Sequence, residues 1–220
     1  MITNASPDQR IALSALSSRQ LGLRAQGRSL PAFAELVGRY EGRLLNFLLR
    51  RVPCAADAED IVQEAFLRAW QSIDRYDPTW EFSTWLYTIA RRLAANEVAA
   101  AKRRARLQPT TPAAARSTDP SQIVADRESQ SNLWTIAQRI LNPDQQTALW
   151  LRYAEHLSVQ DIASVLGRTR VSVRVLMFRA RKALADEMTQ ISGIRQSVHI
   201  KPLALEEPKL PSARMVGGLR

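Results

Sequence analysis

Chemistry built on thiols and imidazoles has little to draw on in this chain. Its 220 residues include one cysteine, Cys54, and two histidines, His156 and His199, well separated in sequence. One thiol makes neither an intramolecular disulfide nor a multi-cysteine metal site. Carboxylates are present, but no cluster of them combines metal-ligand spacing with a nucleophile. The expectation is a protein with no metal, no cofactor and no reaction of its own. What the spacing offers instead is recognition. Asp60, Gln63, Glu64 and Leu67 fall at i, i+3, i+4 and i+7, so a helix would carry them as one stripe. Further on, Arg170, Ser172, Arg174, Arg179, Arg181 and Lys182 lie off the apolar positions of another helical pattern, an arginine-rich face suited to a polyanion.

The charge balance supports the second reading. The chain holds 31 Lys and Arg against 21 Asp and Glu, a net charge of +10. Arg139 to Lys182 alone has eight bases and three acids, an electrostatic footprint for phosphate. Leu30 to Arg104 is nearly neutral but polarised. Its acids gather at Asp57, Glu59, Asp60 and Glu64, its bases at Arg91, Arg92, Lys102, Arg103 and Arg104. An acidic face and a basic end suggest two different partners. No apolar run approaches the roughly 20 residues needed to span a bilayer, and Met1 to Arg10 lacks the core of a signal peptide. No membrane insertion and a cytoplasmic location are expected. An apolar fraction of 45% is ordinary for a globular chain. Alternating runs are scarce, which argues against an all-β fold.

The elements that must position these residues are helical. In the first unit, Pro31 suits an initial turn, and Phe33, Leu36, Val37, Tyr40, Leu44, Phe47 and Leu48 recur at three and four until Pro53. A second helix starts near Asp57 and buries Ala58, Val62, Ala65, Phe66, Ala69 and Ile73, opposite the Asp60 stripe. Asp74 to Phe82 breaks the pattern with Asp-Pro turn chemistry. A third helix, with Ser83 as a cap, carries Trp85, Leu86, Ile89 and Leu93 and ends in the basic run at Lys102. Leu107 to Ser121 has three prolines and no apolar face, the composition of an exposed linker. Met1 to about Arg28 and the stretch after about Ile191 show weak periodicity.

The second unit opens with an apolar helix from about Ser131 to Leu141, then another with Pro143 in its first turn. Ser158 with Asp161 reads as a capping box. The short helix with Ile162, Ala163, Val165 and Leu166 must stop at Gly167, where a positive φ is favoured. Thr169 caps the next helix, whose Val173, Met177, Ala180 and Leu184 form one buried stripe. This is helix-turn-helix spacing, and the arginine-rich outer face is what insertion into a major groove needs.

Two blocks of this sequence resemble one family. "DAEDIVQEAFLRAW", Asp57 to Trp70, is similar to the most recognisable stretch of bacterial RNA polymerase sigma factors, region two of the extracytoplasmic-function (ECF, group four) class. "RYDPTWEFSTWLYTIARRLAANEVAAAKRR", Arg75 to Arg104, continues it in register. "LNPDQQTALWLRYAEHLSVQDIASVLGRTR", with "FRARKAL" after it, resembles region four. The family's usual Ala-Arg-Asn-Leu-Ala stands here as Ala90-Arg91-Arg92-Leu93-Ala94, its following Asp as Asn96, and its frequent Glu-Gly pair as Arg170-Val171.

The resemblance implies an all-α chain of two small helical domains on a flexible linker: an N-terminal extension 1–29, region two at 30–106, a linker at 107–130, region four at 131–190 and a tail at 191–220. It implies that Asp60, Gln63, Glu64 and Leu67 dock on a coiled coil of core RNA polymerase. Trp80, Trp85, Tyr87, Arg91, Arg92, Asn96, Lys102, Arg103 and Arg104 would meet the minus-ten element, double-stranded and then melted. Trp80 sits in the loop where it can meet a base, whereas Trp85 and Phe82 also suit packing. Thr169, Arg170, Ser172, Arg174, Arg179, Arg181 and Lys182 would meet the minus-thirty-five element. The implied partners are core polymerase and promoter DNA, with an anti-sigma factor as a further partner class. The alternative reading is a stand-alone helix-turn-helix regulator, which has no use for the Asp60 stripe.

Overall fold

The computed structural model describes residues 7–107 and 125–192. Among these the secondary structure is helical throughout: α1 Pro7–Ser14, α2 Ser18–Gln26, α3 Leu30–Leu48, α4 Ala55–Gln71, a 3-10 turn at Ile73–Arg75, α5 Phe82–Leu107, α6 Ala125–Ile140, α7 Pro143–Tyr153, α8 Val159–Leu166 and α9 Arg170–Ser192.

Helices α2 to α5 form the first bundle. Ser29 Oγ accepts from the Ala32 amide and Pro31 fills the first turn of α3, as expected. That helix buries Phe33, Leu36, Tyr40, Leu44, Phe47 and Leu48, and α4 buries Ala58, Ile61, Val62, Ala65, Phe66 and Ala69. α4 and α5 run against one another. α5 starts at Phe82, so Ser83 lies buried in its first turn rather than capping it. Between α4 and α5, the Thr79 amide donates to Asp77 Oδ1 at 2.9 Å, the Asp-Pro turn that the sequence announced.

The N-terminal segment differs from expectation. Despite their weak periodicity, residues 18–26 form a packed helix: α2 lies on α3 and α5. A capping box between Ser17 and Gln20 starts it. Its buried positions are Leu21, Gly22 and Ala25. Gly22 lies so close to the ring of Tyr76 that a Cβ there would sit 2.5 Å from Cε1. Small residues make that contact, so the apolar period is faint. The turn into α3 holds Arg28 at φ 61°, an unusual backbone for a branched-off side chain. Its guanidinium is tied to Asp74 at 2.5 Å and lies over the Trp70 ring.

The second bundle is α6 to α9. α6 begins at Ala125, six residues before the expected Ser131. The expected linker therefore ends earlier. Its residues 108–124 and the tail 193–220 lie outside the described residues. Asn142 and Gln145 form a capping box on α7. Ser158 and Asp161 form the one anticipated on α8, and Gly167 takes φ 64° at its end. The Ser172 amide donates to Thr169 Oγ1, which caps α9.

The two bundles are docked, which the sequence did not indicate. α5 lies against α8. Phe47 of α3 sits 4.9 Å from the Tyr87 ring and 6.4 Å from Trp150 of α7, so one apolar core continues across both.

Candidate polymerase and promoter interfaces

The amphipathic geometry of α4 presents the acidic stripe to solvent. Asp60 and Gln63 are exposed, Leu67 is 50% exposed, and Glu64 is half-buried and paired with Arg68 at 2.5 Å. Asp60 and Glu64 also form one wall of an open cleft whose other wall is Asn96, Glu97 and Arg103 of α5.

Along α5 the expected promoter-facing residues separate into two groups. Arg92, Asn96, Lys102, Arg103 and Arg104 are exposed, and Arg92, Asn96 and Arg103 share one helical line. Arg104 pairs with Glu97 at 2.5 Å. Trp80 is half-buried in the loop, its carbonyl accepting from the Tyr76 hydroxyl at 2.7 Å. Trp85 is half-buried, 5.5 Å from the Tyr76 ring and 5.8 Å from Phe82. Burial, then the nearby Glu81 charge, pushes the Tyr76 phenol up to about 12, so it stays a donor. The Tyr87 expectation needs correcting. Its side chain is wholly buried beneath the second bundle and meets no solvent in this arrangement. A tyrosine at helical spacing among core residues packs inward because its ring removes a large apolar area from water. Arg91 is half-buried too, its guanidinium held by Asp144 of α7 at 2.9 Å.

The helix-turn-helix is formed by α8 and α9. Val173, Met177 and Ala180 are buried against it. Thr169, Arg170, Arg174, Arg179, Arg181 and Lys182 are exposed, and Ser172 is half-buried. Arg181 reaches the Tyr153 hydroxyl. Three apolar residues of this helix, given no binding role from the sequence, are also open to solvent: Val171, Val175 and Phe178 are 67%, 43% and 54% exposed.

Comparison with known proteins decides what these surfaces belong to. Residues 36–104 match the family model "Sigma-70 region 2" and residues 139–184 match "Sigma-70, region 4". The chain is 34% identical over 183 residues to the ECF RNA polymerase sigma factor BldN of Streptomyces coelicolor, covering 80% of this chain and 69% of BldN. It is 34% identical over 169 residues to the ECF sigma factor SigW of Bacillus subtilis, covering 73% of this chain and 90% of SigW. This chain belongs to the ECF class of sigma-70 factors. As such a sigma factor it binds core RNA polymerase and directs promoter-specific initiation; the stand-alone regulator is not favoured. Its fold is that of solved sigma factors. The RpoE–NepR complex of Bartonella quintana matches with a TM-score of 0.62 at 20% identity, over 74% of this chain and 98% of that one. CnrH in complex with the cytosolic domain of CnrY matches with a TM-score of 0.59 at 22% identity, over 79% and 97%.

In this sigma factor regions two and four are joined by polar contacts that the sequence concealed. Asp144, in the first turn of α7, accepts from Arg91 of region two and from Arg168 of region four, the latter at 2.6 Å. Partial burial would raise its carboxyl. The hydrogen bonds from Arg168 and Arg91, with their charges, outweigh that and hold it below the ordinary carboxylate value. Glu155, at the turn after α7, has its side chain 2% exposed and pairs with Arg43 of α3 at 2.6 Å. The Tyr87 hydroxyl is enclosed nearby, and burial, then the Glu155 charge, raises its pKa. Thr84 donates to Asp161 at 3.1 Å, and Arg51 to Thr147 at 2.9 Å. No helix among the described residues is long and apolar enough to cross a membrane.

Proposed function

We propose that α4 carries the polymerase contact, α5 with its preceding loop the minus-ten contact, and α9 the minus-thirty-five contact. The observation that carries this is the pairing, in one chain, of an exposed acid-and-glutamine stripe with a basic helix-turn-helix. Asp60, Gln63 and Leu67 have no packing role on α4, and a DNA-binding module alone does not need them. Arg92, Asn96, Lys102 and Arg103 supply the exposed charge and polarity along α5 for a melted strand, with Trp80 and the free flank of Trp85 as surfaces on which a base can stack. Arg170, Arg174, Arg179 and Lys182 form no ion pair among the described residues, so their charge is available to phosphates and base edges.

The docked arrangement sets a requirement on this function. The two promoter elements lie about 25 base pairs apart, roughly 85 Å along straight B-DNA. A docked globule of this length is only roughly 45 Å across. Reading both elements at once therefore requires regions two and four to separate. The seventeen residues 108–124 can extend to about 60 Å. Separation also releases Arg91 of region two from Asp144, so a guanidinium held in the docked arrangement enters the promoter-facing set. The protein acts in the cytoplasm as an initiation factor without catalysis of its own, and an anti-sigma factor is a partner class that fits its family.

Charge reversal at Asp60 and Glu64 tests the polymerase contact. Asp60→Lys with Glu64→Lys should weaken capture of core polymerase at least tenfold while the far-ultraviolet circular dichroism is unchanged. Undiminished capture would remove α4 from the interface.

A further inference from the structure

Isolated exposed apolar residues are common on protein surfaces and carry no message. The arrangement on α9 is different. Val171, Val175 and Phe178 fall at i, i+4 and i+7, on the line directly opposite the buried Val173, Met177 and Ala180. They form the outermost ridge of the helix. Arg170, Arg174 and Arg181 flank the ridge on one side, Arg179 and Ser172 on the other, and Lys182 continues it. Among the described residues nothing covers it: Val171 is 67% exposed although region four is docked.

In a helix inserted into a major groove, the outermost line comes nearest the base edges, while flanking cations reach the backbones. A valine there has no hydrogen bond to offer. The prominent apolar group on the major-groove edge of a Watson–Crick pair is the 5-methyl of thymine. The flanking arginines answer the question of occupant, because an apolar ridge walled by unpaired cations fits a polyanion with apolar spots on its floor. We propose that Val171 and Val175, in the first two turns of α9, read thymine 5-methyl groups in the upstream promoter element, making them specificity-determining residues alongside the arginines. Phe178 lies a turn further on and extends the ridge beyond the bases met by the helix start. This rests on α9 being the upstream reader.

The chemistry allows a test on the DNA. Deoxyuridine removes the methyl and leaves every hydrogen-bonding group of thymine in place. Holoenzyme reconstituted from core polymerase and the full chain is first used to select an upstream motif from randomised DNA. Each thymine in it, on either strand, is then replaced singly by deoxyuridine and binding is measured by competition. One or two replacements should weaken binding by about fourfold each, the effect of exposing one methyl-sized group. Val171→Ala and Val175→Ala should each lose sensitivity at one position, binding thymine and uracil templates alike there. Neither valine packs in the core, so circular dichroism and core capture should match wild type. Equal binding of thymine and uracil templates by the wild type at every position would overturn the proposal. So would alanine variants that keep the uracil sensitivity, or that lose core capture with the motif intact, which would mark the ridge as a protein-docking face. If the wild-type chain failed to bind core or to select any upstream motif, the parent reading would fall at that step, before any thymine is replaced.

Discussion

Arg43→Ala should loosen the docking of region four on region two. Glu155 of region four is almost fully enclosed in the docked arrangement, with Arg43 and Tyr87 of region two against it. Its counter-ion there is Arg43, at 2.6 Å. Truncating one partner of a fully buried pair costs about 3–5 kcal/mol, and exposed pairs are worth about 0.2–1 kcal/mol. Arg43 is 45% exposed and Glu155 2%, and among the described residues Glu155 Oε2 has no well-aligned hydrogen bond. The contact is thus mainly Coulombic and one-sided in exposure, which places the cost at about 1–2 kcal/mol, between those limits. Arg43 also lies over the Tyr40 ring, 5.2 Å from its centroid, but that contact lies within region two and survives undocking. The whole cost therefore falls on the docking equilibrium, a factor of roughly 5 to 30 in the docked-to-separated ratio. Cys54 is the chain's single cysteine and is exposed at the start of α4. Met188 of α9 is 46% exposed. Donor and acceptor dyes on Cys54 and on the thiol introduced by Met188→Cys report the separation directly. Energy transfer should fall in Arg43→Ala and recover when Glu155→Gln removes the orphaned charge. Unchanged transfer in Arg43→Ala, or no recovery in the double variant, would refute the reasoning.

Two further outcomes follow from other contacts. Gly22→Ala gains about 1 kcal/mol of helix propensity but forces a Cβ to within 2.5 Å of Tyr76 Cε1, and that ring is boxed in by Phe82 and Trp85. Overpacking costs about 1–3 kcal/mol, so the net is a loss of about 1 kcal/mol in urea denaturation, and a more stable variant would show that α2 does not sit on Tyr76. The Asp144 carboxyl is held below its ordinary value near 3.8 by Arg168 and Arg91; separation removes Arg91 but leaves Arg168 of region four, so only the Arg91 part of that lowering is linked to docking, and the separated value lies between the docked and the ordinary one. Its contribution to docking is complete above that value and is lost as pH falls through the lower docked value. Energy transfer in the labelled chain should hold down to about pH 5 and decline only below about pH 4, and a decline near neutral pH would point to another group.

Much of this was legible in the residues because local chemistry announced it. The capping box at Ser158, the left-handed Gly167 and the buried line Val173, Met177, Ala180 define the helix-turn-helix without any long-range information. The same holds for α4, where buried alanines and an acidic stripe divide the helix cleanly. α2 was missed because its buried face is Leu21, Gly22 and Ala25, too small to raise a periodic signal, although Ser17 and Gln20 spelled its cap. Docking was missed for a different reason. Arg43 and Glu155, or Arg91 and Asp144, are far apart in the chain, and each charge alone reads as a solvated surface group. Tyr87 followed from that omission: its ring looked available because the bundle covering it was unknown. The α9 ridge was overlooked because attention to charge on a basic helix passes over the valines between the arginines.

The central claim is that this chain confers promoter selection on a polymerase. Purified core RNA polymerase, with and without the full-length protein, can be given a library of genomic fragments and the 5′ ends of the transcripts sequenced. The account predicts new starts that appear only with the protein and share two motifs near minus ten and minus thirty-five. Those starts should disappear with the Asp60→Lys, Glu64→Lys variant. An unchanged set of starts, with the protein binding specific DNA by itself and leaving core polymerase unbound, would contradict the account.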